Sequence, residues 1–129
     1  MTSRDPFDAL EGFFDLYQKA FHANDMEAMN ALFEFPYVLS RAEGIREVKD
    51  SSVHKSQRDK LGDKEWIGTR FDRFRKFRMG KDGAMVLVDY SRLNPDGSVW
   101  TSGSAGYLLR HGPDGWKCVG ILDEFGRGT

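Results

Sequence analysis

The sequence predicts an α+β domain in which a curved antiparallel sheet carries helices packed on one face. Helix-type apolar spacing is confined to the segment before Gly62. After Gly62 the chain changes to strand-dense aromatic and alternating segments joined by proline- and glycine-containing turns. The long apolar stripe of the first half also needs a burial partner, and the strands are the large surface available to it.

The elements follow in order. Asp5 is a good N-cap and Pro6 suits a first helical position. Phe7, Leu10, Phe14, Tyr17 and Phe21 then recur at spacings of three and four, with Phe13 and Ala20 widening the stripe. Asn24 and Asp25 break the pattern and cap a short second helix containing Met26, Met29, Ala31, Leu32 and Phe33. That helix ends before Pro36, because a residue preceding proline avoids the helical region. "PYVLS" has the composition of a short strand. "RAEGIREVKD" fits helix or strand. "DSSVHKSQRDKLGD" predicts a polar surface helix from about Ser52 to Leu61, with His54 in solvent.

The second half reads as a meander. "WIGTRFDRFRKFRM", "AMVLVDYSRL", "SVWTSGSAGYLLRH" and "WKCVGILDEF" are strand candidates, and "NPDG" and "GPDG" are turns between the last three. Consecutive strands with tight turns pair antiparallel.

Size and composition narrow the possibilities. A chain of 129 residues suits one domain, here residues 1–129, with enough length to bury a core. At 40% hydrophobic and 13% aromatic it is too apolar for a disordered chain. A formal net charge of −1 supplies no general attraction to nucleic acid or anionic membrane. A single cysteine, Cys118, permits no internal disulfide, so the expected location is cytoplasmic. The sequence shows no secretory h-region and no apolar run long enough to span a membrane.

The helical segment "YxxAF", "AND" and "MEAMNALF", followed by a short strand, a third helix and a meander ending in "GWKCVGIL", resembles the nuclear transport factor two-like superfamily over about residues 7 to 122. That superfamily includes ketosteroid isomerase, SnoaL-type polyketide cyclases and scytalone dehydratase. The resemblance implies a cone-shaped sheet closed by the N-terminal helices around an apolar cavity, and pairing of subunits through the outer sheet face. It also places Tyr17 at the position of the isomerase tyrosine that donates a hydrogen bond to the developing enolate. The isomerase carboxylates have no counterpart. The stretch Tyr37-Val38-Leu39-Ser40-Arg41 holds no acid, although Glu34 and Glu43 flank it, and neither does Ser104 to Gly106. A lone hydroxyl polarises a carbonyl but needs a partner to move a proton. Steroid isomerisation is therefore not the expectation.

Tyr17 has two readings: one tooth of the helix stripe, or an electrophile aimed into a cavity. The run Thr101-Ser102-Gly103-Ser104-Ala105-Gly106 also has two: a bend in the sheet, or missing side chains that make room for a ligand. In "AMVLVDYSRL" both faces are partly apolar, which suits helices on one side and a second subunit on the other. Asp89 falls on that outer side. "RFDRFRKFRM" mixes basic and aromatic residues as single-strand binders do, but strict alternation divides its Phe residues between faces, so nucleic acid is not an expected partner. His22, His54 and His111 have no metal-ligand spacing, and Cys118 reads as a buried structural thiol.

The functional expectation is thus a SnoaL-like domain that binds a small hydrophobic molecule without metal or cofactor. Cofactor-free lyase, isomerase or cyclase chemistry would use Tyr17 as the catalytic electrophile. The expected ligand pocket comprises Phe14, Tyr17, Phe21, Phe33, Tyr37, Trp66, Phe74, Tyr90, Trp100, Ser104 and Tyr107. The alternative is a non-enzymatic dimeric interaction or scaffold module.

Overall fold

The computed structural model describes residues 5–41, 44–52, 54–55 and 68–123. Asp5 accepts the Phe7 N–H at 3.0 Å and caps a 3-10 turn, Pro6–Ala9. Helix α1, Glu11–His22, follows. The sequence predicts one helix from Pro6; the structure divides it at Leu10, whose N–H returns to the Phe7 carbonyl at 3.3 Å. Asn24 takes a positive φ of 57°, ending α1. Asp25 then caps α2, Met26–Asn30, by accepting the Ala28 N–H at 3.1 Å.

Phe33, expected at the end of the second helix, instead opens strand β1, Phe33–Arg41. Tertiary pairing overrides the local pattern: the Leu32 carbonyl accepts the Cys118 N–H at 2.8 Å, and Phe33 registers with Cys118. The ambiguous segment becomes strand β2, Gly44–Val48. Ser52, His54 and Lys55 are helical, while the rest of the predicted third helix, like Trp66, lies outside the described residues. His54 corrects the polar-helix reading, since it is 1% exposed rather than solvated. The meander comprises β3, Gly68–Met79; β4, Gly83–Leu93; β5, Val99–Gly112; and β6, Gly115–Asp123. The two turns use Gly97 and Gly115 at φ of 87° and 100°, a region open to glycine at little cost.

Six strands form one curved sheet in the order β2-β1-β6-β5-β4-β3. Neighbouring strands run antiparallel, with one exception to the expected pattern: β1 lies parallel to β6. The inner face carries Tyr37, Leu39, Val86, Val88, Tyr90, Ala105, Tyr107 and Leu109, all buried. A bulge at Asp72 shifts the register between Phe71↔Tyr90 and Arg73↔Asp89. This extra residue brings Phe71 onto the same inner side as Phe74, correcting the strict alternation that separates them.

Helix α1 lays its stripe across this face. Phe14 is 1% exposed, with ring centroids 5.1 Å from Phe74, 5.2 Å from Tyr107 and 5.8 Å from Phe71. Polar tethers hold the helical half to the sheet rim. Lys76 Nζ donates to the Phe7 carbonyl at 2.9 Å and to Glu11 at 3.0 Å. Arg78 pairs with Asp5 and lies over the Phe7 ring. Trp116 Nε1 donates to the Pro6 carbonyl at 3.0 Å, and the Thr69 N–H to His22 Nε2 at 2.9 Å.

One glycine in the small-residue run of β5 is accounted for by its neighbour. On the inner face, Tyr90 lies over Gly103; a Cβ there would meet the tyrosine hydroxyl at 2.7 Å and Cζ at 2.9 Å. Gly103 thus leaves room for a protein side chain. Gly106 is less constrained, since its first neighbour would be Leu87 Cδ2 at 3.5 Å. In chemical denaturation, Gly103→Ala is expected to cost about 1–3 kcal/mol through overpacking, whereas Gly106→Ala is nearly neutral. Equal effects at the two positions would contradict this packing.

Candidate functional site

The candidate site is built where β1, the end of α2 and the helical segment at His54 meet. β1 alternation turns Phe33 and Tyr37 inward. Tyr37 is 2% exposed, and its hydroxyl lies 2.7 Å from His54 Nε2. His54 Nδ1 lies 3.2 Å from Asn30 Oδ1. A carbonyl oxygen only accepts, so Nδ1 carries the imidazole hydrogen and Nε2 accepts from Tyr37. Each member of this polar chain, buried at Tyr37 and His54 and half-buried at Asn30, answers the next, as a low-dielectric interior requires.

Aromatic rings enclose the pair. The Phe33 ring lies 4.3 Å from the imidazole and 4.8 Å from the Tyr37 ring, between centroids; Phe35 is 5.7 Å from each. Burial pushes the His54 pKa down to about 4, keeping the imidazole neutral. Burial also pushes the Tyr37 hydroxyl well above the usual phenol range, with smaller upward contributions from nearby Tyr17 and Cys118. Arg41 and Arg46 pull weakly the other way. Burial raises the Cys118 thiol to about 12, which leaves it unreactive as a nucleophile.

The expected pocket residues divide into two groups. Phe14, Tyr17, Phe21, Phe33, Phe74 and Tyr107 join the core around Tyr37. Tyr17 is half-buried, its ring 5.9 Å from Tyr107, 6.0 Å from Phe33 and 6.3 Å from Phe71. Tyr90 is also internal, over Gly103. Two others depart from the expectation. Ser104 alternates to the outer face, where its hydroxyl donates to Asp89 at 2.7 Å. Trp100 falls at the β4–β5 register shift, is 42% exposed and does not pack on the core. Beside α1, Leu10, Glu11, Phe14, Phe74, Lys76 and Val86 line a surface crease too narrow to admit a water molecule.

Sequence reasoning missed His54 and Asn30. His54 lies in a polar stretch, and Asn30 closes a five-residue helix with no motif linking it to a position twenty-four residues away. Among the described residues, no group of three or more His, Cys, Asp or Glu converges as a metal site. None of their helices is long and apolar enough to cross a membrane.

Helices laid across the concave side of a six-stranded curved sheet define the cystatin-like, nuclear transport factor two-like fold. A family model described as "NTF2-like protein (DUF6841)" matches residues 8–124, and the chain belongs to that family. Solved structures agree on the fold. An NTF-2-like protein of unknown function from Shewanella oneidensis superposes with a TM-score of 0.72 at 16% identity, over 91% of this chain and 97% of that one. A cystatin-like fold protein from Burkholderia xenovorans gives 0.66 at 23% identity, over 93% and 91%. An NTF2-like superfamily protein from Salmonella enterica gives 0.67 at 14% identity, over 94% of each. A comparison with curated proteins finds no match.

A depressed imidazole pKa makes stability depend on pH. Between the ordinary value of 6.5 and about 4, the unfolded chain holds a proton on His54 that the folded chain does not. The contribution is complete above pH 6.5 and is lost as the pH falls toward 4. Urea midpoints should therefore drop across this window, and His54→Gln should flatten the drop; an unchanged slope would contradict the assignment. Tyr37→Phe, which leaves Nε2 unanswered, should cost about 1–3 kcal/mol at neutral pH.

Proposed function

We propose that this protein binds a small hydrophobic molecule on the concave side of its sheet, between the helices and the inner aromatic residues. The observation that carries the reading is the hydroxyl–imidazole pair of Tyr37 and His54, buried against aromatic rings with the Asn30 amide on its far side. Polar groups are costly in such a setting, and a ligand site is apolar with a few convergent polar groups. Tyr17, electrostatically coupled to Tyr37, adds a second hydroxyl. The ligand class is an apolar or aromatic carbonyl compound, with Tyr17 as hydrogen-bond donor to its oxygen. A donor so placed polarises the carbonyl, the activation shared by cofactor-free isomerases, lyases and cyclases.

Thermal unfolding in the presence of acetophenone, cyclohexanone and acetonaphthone tests the binding. A saturable rise in midpoint with at least one of them, reduced in Tyr17→Phe, is expected. No shift with any of them would count against the reading.

The outer face favours a second proposal, a homodimer, and with it the alternative role of a dimeric interaction module. Val38, Phe77, Leu108 and Leu122 are all about half-exposed on one side of the sheet. In cross-strand register, Val38 meets Gly120, Gly120 meets Leu108, Leu108 meets Met85, and Met85 meets Phe77. This apolar row spans five strands, and self-association through it would shield it from water. Sedimentation equilibrium should find a dimer that Leu108→Asp converts to monomer. A monomeric wild-type protein at micromolar concentration would refute the pairing. The single buried thiol fits a reducing compartment, and we place the protein in the cytoplasm.

A further inference from the structure

We propose that the free edge of β3 is a docking site for an extended acidic segment of another protein, which adds to the six-stranded sheet as a further antiparallel strand. The proposal stands apart from the ligand and dimer readings, since it uses neither the concave interior nor the apolar row.

The two edge strands, β2 and β3, differ. β2 has five residues, and a short edge strand offers little to a partner. β3 has twelve, and from Arg73 to Met79 it pairs with β4 without a break in register. Five residues of β3 are basic and one is acidic, in a chain whose net charge is −1. Alternation supplies this edge with donors and acceptors. At Thr69 the backbone N–H donates to His22 and the carbonyl accepts from Gln18, so the polar groups of this residue point away from β4. Stepping two residues at a time along β4 from its partner Arg92, and so past the bulge, the same lateral direction falls to Phe71, Phe74, Lys76 and Arg78. Helix α1 answers the first of the row. Among the described residues, the edge-facing backbone groups of Phe74, Lys76 and Arg78 meet no partner.

The charges on this edge select the occupant. Lys76 and Arg78 are engaged with Glu11 and Asp5, and Arg70 with Asp72. Arg73 and Arg75 lie on the outer side of the strand, both exposed. Asp89, across the ladder from Arg73, is bonded instead to Ser104. Among the described residues, no carboxylate lies in ion-pair range of Arg73 or Arg75. A second copy of β3 laid on this edge would set like charges against each other, so the complementary strand is acidic. An antiparallel newcomer exchanges backbone hydrogen bonds at the positions opposite Phe74, Lys76 and Arg78. The positions opposite Arg73 and Arg75 are then the close non-bonded pairs, with Cα atoms about 4.5 Å apart. Carboxylates there meet the two guanidinium groups. The recognised segment therefore carries Asp or Glu at alternate positions.

Fluorescence anisotropy of a labelled peptide that alternates Glu and Thr tests this. Wild type should bind it, and the double variant Arg73→Glu, Arg75→Glu should bind at least about tenfold more weakly with an unchanged unfolding midpoint. Methylating the Thr nitrogens of the peptide, which face β3, should weaken binding about tenfold or more. Methylating the Glu nitrogens, which face away, should leave it within about twofold. Equal affinity of the two methylated peptides overturns the added strand, since charge attraction alone does not read backbone nitrogens. No binding by wild type overturns the docking site, and so does a single-stranded oligonucleotide that binds in preference to the peptide. Should the double variant fail to fold, the two methylated peptides decide on the wild-type protein.

Discussion

An aromatic-lined interior admits polar groups only when they answer one another, and much of this structure follows from that constraint. The concave face presents Phe33, Tyr37, Tyr90 and Tyr107, which no single-layer sheet can leave in water. Helix α1 covers it with Phe13, Phe14 and Phe21. The cover is tied down where solvent remains: Lys76 and Arg78 reach back to Glu11 and Asp5 at the rim, so the charges stay at the edge and the rings stay inside. Within that enclosure Asn30, His54 and Tyr37 form a closed sequence of donors and acceptors. Leaving any one of them unanswered would cost more than the bond itself contributes.

The same constraint separates the two faces of the sheet. Inward positions are filled by rings and branched side chains. Outward positions mix an apolar row with hydroxyl–carboxylate pairs such as Ser104 with Asp89 and Ser91 with Asp72. The proposed ligand site takes the inner face and the proposed dimer contact the outer one.

Much of the fold was legible in the sequence. The apolar spacing from Phe7 to Phe21, the Asp25 cap and the two proline–glycine turns each act within a few residues, and local rules read them. What eluded the sequence depends on contacts made across the chain. Phe33 joins a strand because β6 offers it a partner. Phe71 joins Phe74 because one bulged residue, Asp72, resets the alternation. Gly103 looked like space for a ligand and is space for Tyr90. Of the site, the aromatic wall was legible because it belongs to periodic elements. His54 was not, because a polar helix gives no sign that one of its residues turns inward to meet Tyr37 and Asn30.

The polar centre of the interior depends on the protonation and bonding of one imidazole. Two-dimensional nitrogen–proton spectra of the labelled protein, recorded through the histidine ring couplings, report it directly. The predicted result is a His54 ring protonated at Nδ1 and unprotonated at Nε2 at neutral pH, holding that state well below the ordinary histidine range. A His54 ring protonated at Nε2, or one titrating like a solvent-exposed histidine, would contradict the account.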